Sequence, residues 1–67
     1  MNTEQRFNLI SKIAKTTLSQ PKAAYDLSDM LWIIGMISDS TLSDSQLIEE
    51  IEEVKELFPE YKDLLTY

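Results

Sequence analysis

Sixty-seven residues with twelve acids against six bases, and neither histidine nor cysteine, make an acidic chain of net charge −6. That length supports a single domain over residues 1–67, and the missing Cys and His exclude disulfides and the usual ligands of zinc, copper and iron, leaving only oxygen-ligated ions. With 43% hydrophobic residues and only three that are Gly or Pro, the composition fits a packed helical domain better than disorder or an all-β fold.

The first helix is expected over about Thr3 to Ser19. Asn2 and, three residues on, Gln5 make a plausible capping pair. At 100° per residue Phe7, Ile10, Ala14 and Leu18 share a face flanked by Ile13 and Thr17, and this face is assigned to the core. Asn8, Lys12 and Lys15 then point to solvent. "SQP" ends the helix, because Pro21 cannot continue it yet fits the first turn of another.

The second helix is expected over about Pro21 to Ile37. It contains "MLWIIGMIS", Met30 to Ser38, too short for the roughly 20 apolar residues of a membrane span and closely bracketed by Asp26, Asp29 and Asp39. Ala23, Leu27, Met30, Leu31, Ile34 and Ile37 define the stripe expected to pack inward. Tyr25, Trp32 and Met36 fall almost opposite, together with Asp29. A helix apolar on two sides needs two neighbours, or one neighbour and a partner chain. Gly35 costs roughly 1 kcal/mol of helix propensity relative to Ala, a cost that a close backbone approach can offset.

In the loop that follows, Ser43 and Gln46 form a capping box for a third helix, Asp44 to Leu57. Leu47, Ile51, Val54 and Phe58 make its inner face, and Glu49, Glu52, Glu53 and Glu56 gather on the outer one. Phe58 before Pro59 disfavours helical geometry, so a last helical turn, residues 59–65, begins at Pro59 and folds Tyr61, Leu64 and Leu65 back on the core. The expected fold is all-α: a small three-helix bundle, up-down-up, with a short C-terminal helical turn.

Charge is unevenly spread. Four basic residues against Glu4 give +3 over residues 1–24, and eleven acids against Lys55 and Lys62 give −9 over residues 25–67, so the first helix and the rest should attract. The acidic excess disfavours direct nucleic-acid binding, and a helix-turn-helix reading places Glu49, Glu52, Glu53 and Glu56 where base-reading side chains belong. A calcium loop from Asp39 through Thr41 and Ser43 to Glu50 fails at its sixth place, where Asp44 replaces the required Gly. No cofactor is expected, nor is catalysis: acids without a His, a Cys or a glycine-rich phosphate cradle need an enclosing pocket to shift a pKa.

Two surfaces are therefore candidates for binding. The acidic face of Glu49, Glu52, Glu53 and Glu56 suits a basic protein partner, as a small regulator or inhibitor of the kind bacteria and phages encode would use. The stripe of Tyr25, Asp29, Trp32 and Met36 suits a partner or a homodimer, since aromatics and Met are enriched at interface centres; covering by the C-terminal tail is its plainer explanation. The amino-terminal stretch lacks a secretory signal, so a cytoplasmic location is expected.

Overall fold

The computed structural model describes residues 1–19 and 25–67 and shows three helices: α1 (Thr3–Ser19), α2 (Leu27–Ile37) and α3 (Asp44–Leu57), followed by a 3-10 turn, Pro59–Tyr61. Local chemistry sets most of these ends. The Asn2 and Gln5 side chains cap each other's backbone N–H groups, at 2.9 Å and 2.8 Å, which opens α1 with a reciprocal capping box. Ser43 and Gln46 repeat the device at α3, at 2.9 Å and 3.1 Å. Phe58 leaves helical geometry just before Pro59, as expected of a residue preceding proline.

Helix α2 starts later than its apolar pattern suggested. Asp26, in extended conformation, accepts the Asp29 N–H on its side chain, so the helix begins at Leu27 and not near Pro21, which lies outside the described residues. A carboxylate at the N-cap satisfies one of the first turn's unpaired N–H groups, which fixes the start of α2 there.

Polar contacts fix the topology. Arg6, in the first turns of α1, donates to the carbonyl of Ile37 at the end of α2 at 3.3 Å. It also reaches the carbonyls of Asp39 and Leu42, at 3.0 Å and 2.7 Å, and the carboxylate of Asp44, the first residue of α3, at 3.0 Å. The start of α1, the end of α2 and the start of α3 thus meet at one end of the bundle. At the other end the Tyr61 hydroxyl reaches Asp29 in the first turn of α2. This is the up-down-up order, and Arg6 is the main polar contact through which the basic first helix meets the acidic remainder.

The core comprises Leu9 and Ile13 of α1, Met30, Ile33 and Ile37 of α2, Leu47, Ile51 and Val54 of α3, and Tyr61, Leu64 and Leu65 of the tail. The inner face of α3 and the tail lie as their pattern predicts, except that Phe58 is partly exposed. Two phases need correction. Helix α1 turns Leu9 and Ile13 inward and leaves Phe7 and Leu18 in solvent; α2 buries Ile33, while Leu27 and Leu31 are exposed and Ile34 is half-buried. Each helix carries an apolar arc wider than the core can accept, and the core shared with α3 and the tail selects which part goes inside.

Candidate functional site

The acidic stripe is exposed along the whole outer face of α3, at Glu49, Glu52, Glu53 and Glu56. Glu52 also has an internal role. It accepts the Tyr67 hydroxyl at 2.9 Å and the Lys55 ammonium at 3.3 Å, and that ammonium lies 4.9 Å above the centre of the Tyr67 ring. These contacts hold the carboxy-terminal residue against α3. The Tyr67 hydrogen bond, and after it that of Lys55, keeps the Glu52 carboxyl below its ordinary value, while burial and then the Glu52 contact push the Tyr67 hydroxyl up.

The second predicted stripe divides between the tail and solvent. The Tyr25 and Tyr61 rings lie tilted with centroids 5.6 Å apart, and Asp29 accepts the Tyr61 hydroxyl at 2.7 Å. Burial, followed by this hydrogen bond and the negative charge of Asp29, pushes the Tyr61 hydroxyl up to about 12. Met36 is half-buried against the core. Trp32 is 53% exposed and borders an open groove with Gly35, Met36 and Glu50. The tail therefore covers one end of the stripe and leaves the indole outside.

The feature that pattern reading missed is the outer face of the layer formed by α1 and α2, on the side away from α3. Phe7 is 67% exposed, Leu18 85%, Leu27 59% and Leu31 60%. The contacts of each helix orient them. On α1, Lys12 reaches the tail carbonyl of Asp63 at 3.1 Å, and Gln5, Asn8 and Leu9 border a groove against Thr66 and Tyr67. The opposite flank, Phe7 and Ile10, borders a groove that passes Ile37 and Ser38 at the end of α2 and, at that end of the bundle, reaches Ser43 and Asp44 at the start of α3. On α2, Asp29 and Met36 turn toward the tail and α3, so Leu27, Leu31 and Ile34 flank α1. The two apolar flanks thus border one seam, with Ile10 and Ile34 half-buried along it and the four more exposed side chains above it.

Charge on this face belongs to α1, where Glu4 and Lys15 are exposed and Arg6 and Asp44 border the groove at Phe7. Within Leu27–Ile37 the one ionisable residue is Asp29, which is turned to Tyr61. Gly35 is exposed, and a Cβ added there would meet nothing within 4 Å, so the helix-propensity cost of this glycine is not offset by a close crossing within the chain. Such a surface can offer dispersion and desolvation to a second apolar surface, and little polar chemistry.

In the calcium-loop region the Asp39 carboxylate accepts the Thr41 hydroxyl at 2.6 Å and the Thr41 N–H at 2.9 Å, bonds that lower its pKa. Ser43 is engaged in the α3 cap. Among the described residues no group of three or more His, Cys, Asp or Glu side chains converges to hold a metal ion, and no helix is long and apolar enough to cross a membrane. Comparisons with protein-family models, curated proteins and solved structures found no match to this chain.

Proposed function

We propose that this chain is a non-enzymatic protein–protein interaction module whose contact surface is the apolar outer face of α1 and α2. The observation that carries this reading is the exposure of Phe7, Leu18, Leu27 and Leu31 on one face of a chain whose net charge is −6. Leaving four large apolar side chains in water forgoes burial at roughly 25 cal/mol per Å² of surface, a cost that contact with another polypeptide removes. Regulation by occupying another protein's surface follows as the mode of action. The acidic face of α3 lies apart from this surface, and Glu49, Glu53 and Glu56 leave it free for a separate contact with a basic partner.

Affinity capture with the tagged chain, from native extract containing untagged copies of the same chain, tests the assignment. Wild type should retain polypeptides that Leu31→Glu loses. A variant with Glu49, Glu52, Glu53 and Glu56 all replaced by Gln should retain them. Undiminished capture by Leu31→Glu would remove the apolar face from consideration, and loss confined to the four-Gln variant would transfer the binding role to α3.

A further inference from the structure

We infer that the occupant of the α1/α2 outer face is a second copy of this chain, so that two three-helix units join through a four-helix apolar layer. This rests on the reading that the face is an interaction surface, and adds to it the identity of the partner.

Area is the first argument. Four side chains more than half exposed on one face leave several hundred Å² of apolar surface, on the scale of the largest patch a monomer commonly shows, about 300–600 Å².

Charge is the second. A like-charged copy is a poor partner for a chain of net charge −6 unless the acids stay apart, and here Glu49, Glu52, Glu53 and Glu56 lie on α3, behind the α1/α2 layer. Packed layers are about 8–10 Å apart, so two copies joined through these faces hold their α3 helices at opposite ends of a four-layer stack. That separation exceeds the Debye length of about 8 Å at physiological ionic strength.

Shape is the third. A two-fold interface must be self-complementary, with residue i of one copy meeting j of the other and the reverse. Antiparallel packing of α2 on its copy about Leu31 sets Leu27 of each chain over Gly35 of the other. The exposed Leu then fills the space above Gly35, beside Trp32 and Met36, where among the described residues an added Cβ would meet nothing beyond its own turn of helix within 4 Å. This contact gives the glycine in the middle of an apolar helix a packing role that the single chain lacks.

Sedimentation equilibrium of the full chain, from micromolar to millimolar concentration, tests the inference. Wild type should sediment as a monomer–dimer equilibrium. Leu31→Glu and, separately, Phe7→Glu should weaken dimerisation by about tenfold or more while the helical circular-dichroism signal is kept, since both side chains are exposed in the single chain. Glu49→Gln combined with Glu56→Gln should leave the dimer as strong or make it slightly stronger. A wild type that remains monomeric throughout overturns the second copy as occupant. If capture from extract still depends on Leu31 in that case, the interaction reading stands with a different partner; if capture is indifferent to Leu31, both fall. A dimer that survives both charge insertions lies on another face and overturns the inference as well.

Discussion

Tyr61 joins the tail to α2 and makes its contribution to stability depend on pH. Its neutral hydroxyl is buried and donates to Asp29, and its pKa rises from 10.0 to about 12. A folded-state pKa above the unfolded value means that the contribution is complete below 10.0 and is lost as pH rises through about 12. Urea melts should therefore show the wild type losing stability across that alkaline interval more steeply than Tyr61→Phe. At neutral pH the Phe variant should be about 1 kcal/mol less stable, the ordinary worth of one hydrogen bond. Parallel curves for the two proteins at alkaline pH would show that the contact with Asp29 does not form. The Tyr25, Asp29, Trp32, Met36 stripe was legible as an apolar second side of α2; the coupling of Asp29 to Tyr61, thirty-two residues along the chain, was not, because no local spacing relates them.

At the scale of the helix, boundaries and rotational phase differ in how far a sequence can specify them. The start of α1 and both ends of α3 follow from side chains within three residues of the terminus, and both capping boxes form as their spacing requires. The phase of α3 is equally clear, because four Glu residues leave a single apolar face. Helix α2 has no such constraint: its one charge, Asp29, excludes only a narrow arc, and both the Leu27, Leu31, Ile34 flank and the Met30, Ile33, Ile37 flank satisfy helical spacing. The observed phase makes a direct prediction. Ile33→Ala should cost roughly 2–5 kcal/mol because the side chain is wholly buried, and Leu31→Ala less than about 1 kcal/mol in monomeric protein. Urea melts at low protein concentration would check it. Equal losses at the two positions would mean that α2 is rotated from the orientation described here.

For the whole molecule, the same rotation links stability to association. Covering of the α1/α2 face by a second copy, as proposed above, would stabilise the folded chain by mass action, so the wild-type melting temperature should rise with protein concentration. Leu31→Glu should abolish that dependence and leave the low-concentration value nearly unchanged. Differential scanning calorimetry over a wide concentration range measures both. Because the joining surface is apolar and the acids lie on the far side, added salt should not dissociate the assembly. A marked loss of the concentration dependence at high salt would point instead to the Glu face of α3.

What this sequence determines by itself is local: an all-helical chain, the ends of α1 and α3, the inner face of α3, and the return of Tyr61, Leu64 and Leu65 after Pro59. Each of these depends on residues close together in the chain, through reciprocal caps, the restriction that proline places on Phe58, or a charge pattern that leaves one face apolar. Which apolar flank of α1 and α2 is buried is a tertiary decision. Phe7, Ile10, Ala14 and Leu18 compete with Leu9 and Ile13 on α1, both sets at helical spacing, and the outcome is set where α3 packs and where Arg6 finds the carbonyls of Ile37, Asp39 and Leu42. The residues that lose this competition form the surface proposed for binding: three helices of this size enclose one core, and the apolar surface left over remains outside it.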